Sequence, residues 1–305
     1  MSSRLPKISL VTPSLNQGRF IRATIESVLT QGYPDLDYRV RDGGSTDETL
    51  AVLRTYEGRV PFVSEKDAGQ ADAINKGLAG ATGEVLGYLN SDDVLRPGAL
   101  AAVGEAFALD PELLFVWGRA SYLDEAGNTV SPYLARPDAI ERLADACFIA
   151  QPAAFFRKKV WDEVGPFDAS LHHTMDYDYW LRIAARYPAS RTRFLDRELA
   201  GCRMHADAKT VAGWTRALDE IFTLVKKRTG YLSLWWCVAK WDHLTDGRSQ
   251  AVDPHPVPWR AYPPAILEFL RRNPMRRWAR GFRGLPSAIR RRSRARRAGE
   301  FSKSK

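Results

Sequence analysis

Short apolar runs alternate with longer stretches whose apolar positions recur at steps of three and four. Ile8-Ser9-Leu10-Val11 reads as a buried strand, followed by a helix carrying Phe20, Ile21, Ile25, Val28 and Leu29 on one side. Tyr38-Arg39-Val40 is a second strand, and a helix runs from about Asp47 to Tyr56. Val60-Pro61-Phe62-Val63 is a third, then a helix from about Gln70 to Ala79, then a strand over Val85-Leu86-Gly87-Tyr88-Leu89. Strands alternating with helices predict βαβ units and a mostly parallel sheet flanked by helices, a Rossmann-like α/β fold. One polar residue follows each strand: Asn16, Asp42, Asp67 and Asp92, at spacings of 26, 25 and 25. Singly, each suits a helix N-cap. Together they predict a ligand site, because such sheets bind ligands beyond the carboxyl ends of their strands.

Past Pro97 the pattern predicts a helix to about Leu109, a strand over Leu114 to Tyr122, and a turn at Glu125-Ala126-Gly127-Asn128. Residues 147–157 are apolar enough for another central strand. A helix is expected from about Asp176, with Tyr177, Trp180, Leu181 and Ala184 on one face, and a last strand between Phe194 and Met204. Residues 213–244 read as helical and rich in tryptophan, with Tyr231, Leu234, Trp235, Trp236 and Trp241 as core in preference to a second membrane-facing patch. Pro254, Pro256, Pro258, Pro263 and Pro264 mark a linker. The expected organisation is a domain over 1–210, a helical extension over 211–245, a Pro-rich linker over 246–264 and a basic tail over 265–305.

The chain has 305 residues, 45% apolar and 27% charged, which excludes collagen-like and wholly disordered classes. No run of about eighteen apolar residues exists, so no bilayer-crossing helix is expected, and the N-terminus lacks a secretory apolar segment. Three dispersed cysteines, Cys147, Cys202 and Cys237, form no zinc or disulfide framework, and a cytoplasmic setting is the expectation. The net charge of +9 is unevenly placed: residues 271–305 carry +13, leaving the first 270 residues at −4. A basic-partner argument therefore concerns the tail alone.

Asn90-Ser91-Asp92-Asp93 is the sharpest chemical signal. Adjacent carboxylates repel and suit a divalent cation, which takes oxygen ligands from one or two acids plus substrate phosphates. A turn and N-cap before the next helix is the plainer reading. In Asp42-Gly43-Gly44-Ser45-Thr46-Asp47 the glycines let backbone approach a ligand, while Ser45, Thr46 and Asp47 suit caps. Asp67-Ala68-Gly69-Gln70 and Asn75-Lys76-Gly77 complete the set, with Lys76 read as a solvated helix residue.

These motifs, together with Thr12-Pro13-Ser14-Leu15-Asn16 and Ser27-Val28-Leu29-Thr30-Gln31, resemble the family-two inverting glycosyltransferases of the GT-A fold over roughly residues 7–210. Gln151-Pro152, Gly165-Pro166-Phe167-Asp168 and Met175 to Arg182 look like the acceptor half of that fold. The resemblance implies a nucleotide pocket lined by Pro13, Ser14, Asn16, Asp42 and Asp67, with Asp92 at the ribose. It implies a metal, Mn²⁺ or Mg²⁺, on Asp93, and it allows His205 to complete the metal or contact the diphosphate. Gly43 and Met175 stand where many members have acids, which leaves Asp176 as the one general-base candidate there. Asp178 is the fallback and is expected to face solvent.

The implied reaction moves a sugar from a nucleotide-sugar donor to a hydroxyl of a glycan or lipid-linked acceptor with inversion, in cell-surface polysaccharide synthesis. A cation stabilises the leaving diphosphate, and a base activates the hydroxyl. A sugar nucleotidyltransferase is the alternative enzyme, although Pro13-Ser14-Leu15-Asn16 is not its Gly-rich basic loop. A non-enzymatic, basic-tailed membrane or nucleic-acid binding protein is the other. In the tail, Met275, Trp278, Phe282, Leu285 and Ile289 alternate with arginines, as in a helix lying on an anionic membrane surface. A disordered basic tail is the competing reading, and nucleic acid ranks third.

Overall fold

A computed structural model describes residues 4–137, 140–246, 257 and 259–273. The chain divides into one unit of residues 1–141 and 148–211 and a second of residues 142–147 and 212–305.

The first unit is built on one sheet. Its opening βα rhythm is β1 (Ile8–Ser14), α1 (Gly18–Leu29), β2 (Leu36–Asp42), α2 (Thr49–Arg54), β3 (Phe62–Ser64), α3 (Gln70–Ala79) and β4 (Val85–Tyr88). Then come β5 (Val94–Leu95), α4 (Ala99–Leu109), β6 (Phe115–Leu123), β7 (Thr129–Pro132), β8 (Ala154–Arg157), α5 (Lys158–Val164), α6 (Met175–Arg186) and β9 (Thr192–Arg203). The strand order is β3-β2-β1-β4-β8-β6-β9-β5, with β7 paired to β6. The first four of these run parallel, β8 is antiparallel to both neighbours, and β6 pairs parallel with β9.

Every residue of β1 and β4 is buried, as expected of strands covered on both faces. Phe20, Ile21, Thr24, Ile25 and Val28 form the buried stripe of α1. A Cβ on Gly77 of α3 would lie 2.5 Å from Val11 Cγ1, so only glycine lets α3 sit this close to β1. The chain leaves β1 toward β2 and β3 on one side, and β4 lies on its other side. The carboxyl ends of β1 and β4 therefore flank the point where strand order reverses, the place where open α/β sheets form a crevice.

The expected strand over 147–157 is confined to Ala154–Arg157, because Gln151–Ala153, with Pro152 inside, forms a 3-10 turn. β3 starts two residues later than expected.

The second unit comprises α8 (Trp214–Thr229), α9 (Leu234–Asp246) and α10 (Tyr262–Arg272), preceded by the short α7 (Lys209–Ala212) at the boundary. Asn273 exchanges two hydrogen bonds with the Leu232 backbone, which ties the end of α10 to the start of α9. Glu268 of α10 accepts from Lys240 Nζ (3.2 Å), Trp241 Nε1 (2.7 Å) and Arg272 Nε (3.0 Å). Leu234 and Trp236 are core, whereas Tyr231, Trp235 and Trp241 are half-buried. α10 crosses the expected linker–tail boundary at 264: Pro263 and Pro264 stand in its first turn, where a missing N–H costs nothing. The tail positions Met275, Trp278, Phe282, Leu285 and Ile289, and most of the Pro-rich stretch, lie outside the described residues.

Candidate active site

The loop after β1 and the loop after β2 are laced together. Asn16 takes a left-handed backbone (φ 52°). Its N–H donates to Ser45 Oγ (2.7 Å), and its side-chain oxygen accepts from Thr46 N–H (2.8 Å). Asp47 caps two helices, accepting from Gly18 N–H at the start of α1 (2.9 Å) and from Thr49 N–H of α2 (3.0 Å). Pro13 is buried beside Arg41 in the β1–β2 register. Ser14 is also buried, and its Oγ has no hydrogen-bond partner among the described residues.

Asp42 and Asp67 differ in what they leave free. Asp42 is buried, and its carboxylate accepts from Gly44 N–H (3.1 Å), Ser45 N–H (3.0 Å), Ser45 Oγ (2.5 Å) and Ser64 Oγ (2.6 Å). Four protein donors saturate it, so it holds the loop in shape. Asp67 Oδ1 accepts from Gly69 N–H (2.9 Å), and Oδ2 has no protein partner among the described residues. A Cβ on Gly43 would lie 2.7 Å from that Oδ2, so Gly43 makes room for the open oxygen.

The carboxylates after β4 split in the same way. Asp93 is 6% exposed; its Oδ1 accepts from Arg203 N–H (2.9 Å) and its Oδ2 from Asn90 Nδ2 (3.2 Å). Burial, and then the neighbouring charge of Asp92, push its carboxyl well above the usual carboxylate range. Asp92 is half-buried: its Oδ2 lies 3.0 Å from His205 Nε2, and its Oδ1 has no protein partner among the described residues. His205 is brought there by β9, whose Arg203 donates Nε–H to Asp92 O (2.9 Å) and Nη1–H to Glu125 O (2.8 Å). The cation expected on Asp93 thus meets a carboxyl already engaged at both oxygens, while Asp92 Oδ1 is open and His205 Nε2 stands beside it, bonded to Asp92 Oδ2. Among the described residues no three of His, Cys, Asp and Glu converge as a ready metal cluster. Asp92 Oδ1 and, once released from Asp92 Oδ2, His205 Nε2 would make a two-donor set for a borderline cation whose remaining ligands are phosphate oxygens.

Gln70, Asn75, Asn90 and Gln151 stand in the sequence motifs without an assigned role, and Lys209 was not singled out from sequence. Gln70 Nε2 donates to Asn90 Oδ1 (2.6 Å), Asn90 Nδ2 to Gln151 Oε1 (3.2 Å), and Gln151 Nε2 to Tyr88 O (2.8 Å). Lys209 Nζ donates to Gln70 Oε1 (2.7 Å) and to His172 O (3.2 Å), joining the segment before α6 to the start of α3. Asn75 and the Phe167 backbone exchange two hydrogen bonds of 2.9 Å, which anchors the 165–168 loop on α3. Lys76 pairs with Asp72 at 2.9 Å on the outer side of α3.

Asp176 stands in the first turn of α6, half-buried, with Oδ1 accepting from Tyr177 N–H (2.8 Å). Asp178 corrects the sequence reading: it is fully buried, not solvent-facing, and accepts from Arg182 Nε (2.8 Å). Arg182 also donates to Val164 O and Pro166 O. Asp178 therefore fixes the loop before α6 and is no candidate base.

With this geometry in place, the comparisons are specific. Residues 9–167 match the family described as Glycosyl transferase family 2. The chain belongs to that family. It is 30% identical over 184 residues to chondroitin synthase of Escherichia coli, covering 59% of this chain and 27% of that protein. The chain spans about a quarter of that relative's length. Among solved structures it resembles S. aureus TarS in complex with UDP-GlcNAc (TM-score 0.61, 15% identity, 88% and 82% of the two chains). It also resembles the mannosyltransferase PcManGT from Pyrobaculum calidifontis in complex with GDP-Man and Mn²⁺ (TM-score 0.58, 19% identity, 87% and 74%). At these identities the likeness establishes the fold, GT-A, with helices following it. Among the described residues no helix is long and apolar enough to cross a membrane.

Proposed function

We propose that this glycosyltransferase moves a sugar from a nucleotide-sugar donor to a hydroxyl of a glycan or lipid-linked acceptor, in cell-surface polysaccharide synthesis. The observation that carries the reading is the Asp92–His205 pair, open at Asp92 Oδ1, at the strand-order reversal. The synthase relative and the neighbours' UDP-GlcNAc and GDP-Man complexes support the substrate class.

In this reading the nucleotide lies between the β1 and β2 loops. Ser14 Oγ and Asp67 Oδ2 are polar atoms without a partner among the described residues and would contact it, and Asp42 shapes its wall. Asp92 and His205 hold the Mn²⁺ or Mg²⁺, in place of Asp93. When bound, that ion supplies positive charge to the departing diphosphate. Asp176 accepts the acceptor's hydroxyl proton, and the single displacement inverts the anomeric centre. The half-exposed Ile266 and Leu267 of α10, followed by the arginine-rich tail, support peripheral association with an anionic membrane.

The test is turnover of nucleotide sugars by the purified chain with Mn²⁺. Release of nucleoside diphosphate that EDTA and Asp92→Asn abolish supports the reading. No turnover of any UDP-, GDP- or dTDP-sugar, together with no nucleotide binding, overturns it.

A further inference from the structure

The proposed cation pair has an unexpected neighbour. A histidine that binds metal through one ring nitrogen ordinarily donates its other N–H to a carboxylate, carbonyl or water. Here His205 Nδ1 faces Arg19 Nη2 at 3.3 Å. A guanidinium has donors and no acceptor. Arg19 therefore donates to Nδ1, and the single N–H of a neutral imidazole sits on Nε2, where it donates to Asp92 Oδ2. That is the tautomer whose Nε2 lone pair is unavailable to a cation. The ring cannot easily turn to present another edge: its side chain is fully buried, and it packs on Phe20 with centroids 4.8 Å apart.

Arg19 is held by two exposed carboxylates and by the Phe20 ring, whose centroid lies 4.5 Å from its guanidinium carbon. Its side chain is 46% exposed, and its partners Asp207 (2.8 Å) and Glu125 (3.5 Å) are exposed carboxylates. Such pairs contribute little, because solvent screens them. A diphosphate offers the same guanidinium two or more anionic oxygens in the geometry its fork prefers.

We propose that Arg19 is a positioning residue that holds His205 in the cation-refusing tautomer until a donor diphosphate draws the guanidinium away. The inference rests on the cation reading of Asp92 and His205. Once Arg19 leaves, the imidazole N–H moves from Nε2 to Nδ1 with no change in the number of bound protons. Cation and nucleotide then bind as a coupled pair, each strengthening the other by the same factor.

The experiment uses the full chain at one fixed pH. Long-range ¹H–¹⁵N spectra of the five histidines, with His205→Gln as the assignment control, read the tautomer. Wild-type protein free of ligand is expected to show His205 as Nε2–H, and Mg²⁺ with UDP or GDP to convert it to Nδ1–H. Arg19→Met is expected to mix the tautomers in the free protein. It should also tighten binding of Mn²⁺ alone by roughly three- to tenfold, the effect of one hydrogen bond. The enhancement by nucleotide should shrink by the same factor. An Nδ1–H tautomer in the free wild type overturns the proposal, as does unchanged or weaker Mn²⁺ binding in Arg19→Met. Equal tightening by Arg19→Met in a His205→Gln background also overturns it, since plain charge repulsion would then explain the gain. If His205→Gln leaves Mn²⁺ affinity with nucleotide unchanged, the cation reading itself falls. If it weakens that affinity while Arg19→Met fails to tighten binding, only the role of Arg19 falls.

Discussion

Asp92 and His205 meet at 3.0 Å across 113 positions of chain, and the carboxylate next in sequence, Asp93, turns the other way into the protein. Two adjacent acids thus have separate duties. Asp92→Asn is expected to leave thermal stability nearly unchanged and to abolish the extra stabilisation that Mn²⁺ gives to nucleotide-bound protein. Asp93→Ala is expected to do the reverse in stability, leaving the Arg203 N–H and one of the two Asn90 Nδ2 N–H groups without an acceptor. The cost is about 1–3 kcal/mol, read from urea midpoints. Equal loss of cation dependence with no stability change in Asp93→Ala would return the cation to that residue.

Asp42 and Asp67 should separate in the same manner. Asp42→Ala removes the acceptor for four donors of the β2–α2 loop and the neighbouring strand. A loss of roughly 2–4 kcal/mol is expected, with nucleotide affinity falling because the loop loses its shape. Asp67→Ala should weaken nucleotide binding in calorimetry while the unfolding midpoint stays near that of the wild type.

The βα rhythm was legible because fully buried parallel strands read as continuous apolar runs and α1, α3 and α4 keep a clear helical period. β5 and β7 were not legible. Val94 and Leu95 are a strand only because Gly201 and Ala200 lie opposite them, and Thr129–Pro132 is largely exposed. The apolar run at 147–153 misled because Pro152 and the 3-10 turn interrupt it. The residue types of the site were legible, and their division of labour was not. Which of two neighbouring acids is open depends on a backbone N–H from Arg203, 110 positions away. The Arg19 contact with His205 joins side chains 186 positions apart, and no local spacing announces it.

Asp37, at the outer end of β2, should be one source of acid sensitivity. Burial raises the Asp37 carboxyl, but the Arg39 guanidinium, Ser9 Oγ and Thr82 N–H outweigh it and bring it down to about 2. A folded-state value below the unfolded one contributes stability that is fully present above about pH 4 and is lost as pH falls toward 2. Asp37→Asn should therefore lower stability at neutral pH by on the order of 2 kcal/mol and flatten the pH dependence between about 4 and 2. Parallel wild-type and variant curves through that range would show that the group is not responsible.

The two acids of α6 provide the sharpest contrast in catalysis. Asp176 is half-buried in the first turn with one oxygen on the helix backbone, whereas Asp178 is sealed beneath Arg182 and braces the loop at Val164 and Pro166. If Asp176 takes the acceptor proton, Asp176→Asn should lower kcat by at least about a hundredfold while nucleotide affinity and the unfolding midpoint hold, because general-base catalysis is typically worth two to four decades. Asp178→Ala should instead cost about 1.5–3 kcal/mol of stability, the range for a hydrogen bond to a charged group. It should raise the acceptor KM through the loosened 164–166 loop and keep kcat within a few fold. A collapse of kcat in Asp178→Ala at full occupancy of both substrates, with Asp176→Asn still active, would exchange the two assignments. Such a result would require Asp178 to emerge from a side chain that is now wholly enclosed, with Arg182 released at the same time.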